Sequence, residues 1–269
     1  MPDFQLSQQQ MNFMETFGYL HFPGMLNDRI DQIIEAFEQV WVDMNIEHPE
    51  TQRTYIVPFI GQSDYLSSLL DDDRIDGIFT SLLGEDYVYL GSDGNFYSGD
   101  TDWHSDGGWP RPIRFYKMAL YLDPLTADSG AVRFIPGSHR YGDDYAEIVQ
   151  QDIRRLEEAY EIDGAGVPAL AIESQPGDVV VFNQGLKHSA WGGGTQRRMF
   201  TINCGYRYKD DEMHLLRDEL NLVSRFGKGK VYGERMIATA TPRRMVHLEQ
   251  ALALVPSGVW SAPESDAIV

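Results

Sequence analysis

Cysteine is almost absent. Cys204 is the only one in 269 residues, so neither an intramolecular disulfide nor a multi-cysteine metal site can form. Basic residues are also scarce: 22 Lys and Arg stand against 41 Asp and Glu, a formal charge of −19. A chain of that sign has no general attraction for nucleic-acid phosphates or anionic membrane surfaces, and an anionic ligand must be captured by a local basic pocket. No stretch approaches 18 uninterrupted apolar residues, so no membrane span is expected. The opening MPDFQLSQQQ lacks a basic start followed by an apolar run, so no signal peptide is expected and the cytoplasm is the expected location. Nothing in the composition points to a protein partner. What is present suffices for a sizeable core: 42% hydrophobic and 12% aromatic residues argue against general disorder. The length suits one all-β domain with helical decoration.

Periodicity divides the chain into three stretches. Ser7 is placed as an N-cap with Gln10 at the capping-box position, and Met11, Met14 and Phe17 follow at helical spacing before Gly18. Tyr19–Phe22 reads as a short strand. Asn27–Val42 and Tyr65–Leu83 read as amphipathic helices. From about residue 87 the period becomes strand-like, with candidates at Tyr87–Leu90, Asn95–Tyr97, Phe115–Leu122, Ala131–Ile135, Asp178–Phe182 and Met199–Tyr206. One helical insert, Asp144–Tyr160, interrupts them, and helices return at about 212–225 and 242–254. Cys204 falls inside the last strand candidate as a core residue. The pattern predicts a mainly β fold with flanking helices, a sandwich or barrel braced on one face. No repeat or linker marks a domain cut: helices over 1–84, a β core over 86–208 and helices over 209–256 are expected to form one domain spanning 1–269.

Of seven histidines, context singles out two. His104 sits in Thr101-Asp-Trp-His-Ser-Asp-Gly-Gly-Trp109, where His104 and Asp106, two residues apart beside a strand end, can point to one side. A distant third ligand would complete a 2-His-1-carboxylate face, which leaves metal positions open for a cosubstrate and O2. His188 is the natural partner, because it follows the Gln175-Pro-Gly-Asp178 turn and a buried strand. Arg197 and Arg198 come nine and ten residues later, where a guanidinium could clamp a dicarboxylate. Taken alone, these pieces are better explained by an ordinary core-edge histidine and two solvated arginines.

Together, Trp103-His-Ser-Asp106, Ile135-Pro-Gly-Ser-His139, Pro176-Gly-Asp178 and His188 followed by an arginine resemble, in that order, the phytanoyl-CoA dioxygenase family of Fe(II)/2-oxoglutarate oxygenases, including its ectoine-hydroxylase-like branch. The opening Leu6-Ser…Phe13…Gly18-Tyr-Leu20…Pro23-Gly24 is similar to the family's first helix and strand, so the resemblance covers most of the chain and weakens after about residue 210. It implies a double-stranded β-helix (jelly-roll, cupin-like) core, and His104, Asp106 and His188 as iron ligands. It implies Fe(II), 2-oxoglutarate and O2 as reactants, with succinate and CO2 as products. His139 matches a histidine that is structural in the family. The family's carboxylate-anchoring arginine falls on the Arg197–Arg198 doublet. The strand face of Arg197, Met199, Thr201 and Asn203 is more polar than that of Arg198, Phe200, Ile202 and Cys204, which favours Arg197. Asn95 and Lys117 are further candidates for 2-oxoglutarate contact, and Tyr97 is another. The chain departs from the pattern in carrying Ser189-Ala190 where relatives often carry Gly-Ser, and in a spacing from His188 to the arginine that is a residue or two short.

Asp106 fills the position that a related halogenase leaves to halide, so hydroxylation is expected over halogenation; desaturation and ring formation use the same ligands. Arg111 and Arg114, with Trp109 nearby, are candidates for an anion-binding substrate pocket. They suggest a small anionic or zwitterionic metabolite such as an amino acid, a betaine-like acid or a phosphonate. An acyl-CoA substrate is the alternative, against which stands the lack of a large basic cluster. A metal-free jelly-roll binding module is the rival of another class.

Overall fold

The computed structural model describes residues 2–107 and 114–259. In chain order, α1 (Gln8–Phe17) leads into β1 (Tyr19–Phe22), α2 (Ile30–Asp43), β2 (Thr54–Ile56), α3 (Asp64–Ser67) and α4 (Asp73–Leu83). Then come β3 (Val88–Gly91), β4 (Gly94–Tyr97), β5 (Thr101–His104), β6 (Phe115–Tyr121) and β7 (Val132–Phe134). The insert holds α5 (Asp144–Asp152) and α6 (Leu156–Tyr160), followed by β8 (Leu170–Ile172), β9 (Val179–Asn183), β10 (His188–Ala190) and β11 (Arg197–Gly205). The chain closes with α7 (Met213–Phe226), α8 (Glu234–Ala238) and α9 (Pro242–Leu252). No helix among the described residues is long and apolar enough to cross a membrane.

The strands form two antiparallel sheets. The larger runs β1-β9-β6-β11-β4-β2, with β3 also paired to β11; the smaller runs β5-β10-β7-β8. The sequence expectation of a mainly β fold with flanking helices is met. β11 shows why the sheet has two different faces. Its residues Phe200, Ile202 and Cys204 are fully buried, and Phe200 lies against Phe37 of α2 and Phe59. The alternate residues Met199, Thr201 and Asn203 face a cavity between the sheets. The main core therefore lies between the larger sheet and the helices. The core between the sheets is small, built around Ala119, Val132, Phe134, Ile172, Val180, Phe182 and Leu186.

The differences from the sequence expectation have local causes. Ser7 caps α1 in a full capping box, as its neighbours predict. The helix expected over 65–83 is instead broken, because Asp72 adopts an extended conformation and its side chain accepts from the Arg74 N–H, starting α4 anew. The insert splits into α5 and α6, with Asp143 capping the first. Strands β2, β5, β8 and β10 have three or four residues each, too few to display a period. In the larger sheet β2 comes from a segment with no strand reading, whereas β1 forms where the sequence places a short strand and pairs with β9 from Tyr19↔Phe182 to Phe22↔Val179.

Candidate iron and cosubstrate site

His188 opens β10 and His104 ends β5, and the two pair directly in the sheet register. Their rings lie 4.1 Å apart between centroids. Asp106 follows two residues after His104, its backbone N–H donating to Gln184 O at 2.9 Å, while the Ser105 hydroxyl donates to Gly185 O at 2.9 Å. The turn before His188 therefore also fixes the segment that carries Asp106. That turn is held in its own right: Lys187 N–H donates to the buried Ser138 Oγ at 2.8 Å, and Ile135 N–H to Lys187 O. The Pro-Gly-Ser-His run thus clamps the approach to His188, and His139 is not part of the cluster. The Pro-Gly-Asp turn has a similar task at the other end of β9. Asp178 accepts from Gly24 N–H at 2.7 Å and Gln175 N–H at 3.0 Å and lies 3.0 Å from His21 Nε2.

Ligand atoms of His104, Asp106 and His188 all lie within 4.8 Å of one another, a grouping able to hold a metal ion. The donor chemistry fits. Each imidazole turns Nδ1 to a backbone carbonyl two residues earlier, His104 to Asp102 O at 2.7 Å and His188 to Leu186 O at 2.8 Å. With the proton on Nδ1, each Nε2 lone pair is left facing the carboxylate, 3.8 Å from Asp106 Oδ1 for His104 and 3.6 Å from Oδ2 for His188. Burial among Phe182 and Phe134 pushes the His188 imidazolium down to about 3, so the ring is neutral at ordinary pH. Burial would raise the Asp106 carboxyl, but the Lys117 ammonium, 2.7 Å from Oδ2, together with His188 and His104, holds it below the usual carboxylate range.

The three side chains sit in a cavity of about 700 Å³, within the range that suits a small molecule. Arg197 and Lys117 line it; Arg198 does not. Strand alternation sends Arg198 to the opposite face, where it bonds Asp123 Oδ1 at 2.6 Å and Glu38 Oε1 of α2 at 2.8 Å. Arg197 donates to Gly130 O at 2.7 Å and Gly99 O at 2.6 Å and lies 5.5 Å from the Tyr97 ring centroid. Gly130 has φ +91°, and a Cβ there would sit 2.2 Å from Arg197 Nη1, so glycine is what leaves room for the guanidinium. Arg197 makes no ion pair among the described residues, and its buried Nε has no hydrogen-bond acceptor. Burial lowers its pKa, opposed by Tyr121 and Tyr97 on the same wall and by the charge of Asp100.

Asn95 is fully buried behind the cavity wall, its amide engaged by Asp93 and Arg53. Arg114 is exposed, 3.7 Å from Glu15, and does not line the cavity. Trp109 and Arg111 lie outside the described residues. Sequence reasoning missed Arg53, Asp93, Tyr121 and the rim supplied by α7, namely Glu219, Leu222, Val223 and Phe226. The alternation Arg53, Tyr55, Val57 was available as a signal, but the strand that carries it is three residues long.

Two sheets with a His-Asp-His cluster facing inward define the class of non-haem iron oxygenases. The chain belongs to the phytanoyl-CoA dioxygenase family, whose model matches residues 14–199, well over half its length. It is accordingly an Fe(II)/2-oxoglutarate-dependent dioxygenase, with iron and 2-oxoglutarate as cofactor and cosubstrate. Comparison with curated proteins found no significant sequence relative. Solved structures share the jelly-roll fold. EctD from S. alaskensis, solved with 2-oxoglutarate and 5-hydroxyectoine, is 22% identical with a TM-score of 0.59, the match covering 77% of this chain and 78% of that one. SnoK, a non-heme alpha ketoglutarate dependent carbocyclase from nogalamycin biosynthesis, is 21% identical at 0.59, covering 79% and 91%. HygX from Streptomyces hygroscopicus, with nickel and 2-oxoglutarate bound, is 17% identical at 0.58, covering 76% and 88%.

Proposed function

We propose that this enzyme hydroxylates a small anionic or zwitterionic metabolite, with His104, Asp106 and His188 holding Fe(II) and Arg197 anchoring the far carboxylate of 2-oxoglutarate. One observation carries the reading: a half-buried arginine with no ion-pair partner among the described residues shares one cavity with the His104, Asp106 and His188 cluster. A half-buried guanidinium whose only hydrogen bonds go to neutral carbonyls has capacity for an anion, and a dicarboxylate cosubstrate supplies one.

Iron with 2-oxoglutarate and O2 supplies an oxidant able to remove hydrogen from an unactivated C–H bond, yielding succinate and CO2. The chain's own residues do the positioning. The carbonyls of Asp102 and Leu186 keep both imidazoles in the tautomer that presents Nε2. Lys117 keeps Asp106 ionised and oriented through its contact with Oδ2. Gly130 O and Gly99 O hold the Arg197 guanidinium in one orientation, so the cosubstrate meets a preformed clamp. Ala119, Val132, Phe182 and Met199 give the cavity an apolar lining beside the cluster, which limits water there. Asp106 supplies a carboxylate where halogenation would need a position free for halide, and this supports hydroxylation. The same hydrogen removal can end in ring closure, the activity SnoK is named for; a product gains one oxygen in the first case and loses two hydrogens in the second. Against an acyl-CoA stands the small number of cations on the cavity wall, Arg53, Lys117 and Arg197, for its phosphates.

The test is succinate formation from 2-oxoglutarate by the Fe(II) enzyme under O2, across a panel of small anionic and zwitterionic metabolites. Substrate-dependent succinate is expected, with a product 16 mass units heavier, about one oxygen atom. No succinate above the protein-free control with any panel member would contradict the reading.

A further inference from the structure

Two charged side chains on the cavity wall are not used by the iron or the cosubstrate. Arg53, just before β2, is exposed at the mouth; its guanidinium carbon lies 4.2 Å from the Tyr97 ring centroid and 5.5 Å from that of Tyr55. Its Nε donates to Asn95 Oδ1 at 2.8 Å. Neither terminal nitrogen has a hydrogen bond or ion pair among the described residues, although the chain carries 41 acidic side chains. Asp93, in the turn between β3 and β4, is half-buried. One of its carboxylate oxygens accepts from the Thr201 hydroxyl and the other from Asn95 Nδ2 at 2.6 Å. It makes no ion pair among the described residues: the nearby Lys117, which feels its charge, is committed to Asp106.

A single buried amide therefore holds a cation and an anion on one wall without letting them neutralise each other. Two hydrogen bonds and the span of the Asn95 amide keep the opposed groups within about 8 Å. Charges so placed are complementary to a molecule that carries both signs a few bonds apart. We infer that Arg53 and Asp93 form a two-point site for a zwitterion, the substrate carboxylate on the Arg53 terminal nitrogens and its ammonium on Asp93. Guanidinium and carboxylate are the groups that recognise these two partners most directionally. Val57, just after β2, and Leu90 of β3 line the same cavity, and α7 brings Leu222, Val223 and Phe226 to it, so the rest of the ligand meets an apolar surface. The substrate class is a free amino acid or a close zwitterionic analogue with an apolar body. This rests on the oxygenase reading and narrows it.

The test uses the full-length protein held anaerobically with Fe(II) and 2-oxoglutarate, reading the displacement of its visible band when a ligand enters beside the metal. The probes are the common L-amino acids, each compared with its N-acetyl derivative and its carboxamide. At least one free amino acid should perturb the band at a concentration tenfold or more below either derivative, because a site built for a charged hydrogen bond rejects the analogue lacking it. Asp93→Asn should shrink the preference over the N-acetyl form, and Arg53→Gln the preference over the carboxamide, to twofold or less. A derivative as effective as its parent on the wild-type protein, or no response to any free amino acid, overturns the zwitterion site while the unperturbed band keeps the oxygenase reading intact. Absence of the band itself takes down both. The wild-type comparison decides even where a variant does not fold.

Discussion

Arg197 and Arg198 are neighbours in the chain with opposite surroundings. Arg198 is paired with Asp123 and Glu38 and ties β11, inside the larger sheet, to α2, whereas Arg197 faces the cavity with backbone carbonyls as its only hydrogen-bond partners among the described residues. Replacing Arg197 by Lys removes the forked donor while keeping the charge, and the KM for 2-oxoglutarate should rise tenfold or more. Arg198→Gln should leave that KM within twofold and lower stability by about 1 kcal/mol, the scale of a partly exposed ion pair. Equal KM effects would contradict the division; urea unfolding alongside 2-oxoglutarate titrations measures both. The division was legible in the sequence because strand side chains alternate, and one face of the run after Gln196 is visibly more polar. Arg53 was not, since it becomes a cavity residue only through the pairing of β2 with β4.

At the scale of elements, the Pro-Gly-Ser-His run shows a motif acting through packing. His139 lies against Gly18, the left-handed residue that ends α1, with its ring where a Gly18 Cβ would be. Burial, only partly opposed by Glu15 and reinforced by Arg140, pushes the imidazolium down to about 4, and Nδ1 has no hydrogen-bond partner. Above the unfolded value of about 6.5 the ring is neutral in both states and this contact is fully present. As pH falls from there toward 4 the unfolded chain takes up a proton that the folded one resists, so stability drops by on the order of 2 kcal/mol. Urea unfolding at pH 7 and pH 5 should show that loss in the wild type and a smaller one in His139→Gln; equal slopes would contradict it. The order of helices and strands was legible from periodicity and caps. The break at Asp72 was not, because three successive aspartates offer several starting points for a helix. β5 and β10, which carry His104 and His188, were read only as flanks of motifs, since strands this short hold their place through pairing and not through a pattern of their own.

For the whole molecule, the charge of −19 describes the surface better than the interior. The cavity collects Arg53, Lys117 and Arg197 within a chain of opposite sign, and each cation there is held by a hydrogen bond, a carbonyl pair or a carboxylate. The sandwich makes this possible by leaving its inter-sheet core small, so that one side is packed with Phe134, Phe182 and their neighbours while the other stays open. Family membership was legible because its motifs keep their order along the chain. The candidates for anion binding were harder to place: Trp109 and Arg111 lie outside the described residues, Arg114 is turned to Glu15, and the arginine at the mouth comes from a segment with no motif. α7 completes the rim with partly exposed Leu222 and Phe226, side chains that gain a reason to face the opening once a ligand with an apolar body enters. In the proposed reaction His104, Asp106 and His188 hold iron in chelating reach of a 2-oxoglutarate anchored by Arg197. Anaerobic addition of Fe(II) and 2-oxoglutarate to the purified protein tests it most directly. A weak visible charge-transfer band is expected in the wild type, absent in His104→Ala and requiring at least tenfold more 2-oxoglutarate in Arg197→Lys; no band in the wild type, or an undiminished band in His104→Ala, would contradict it.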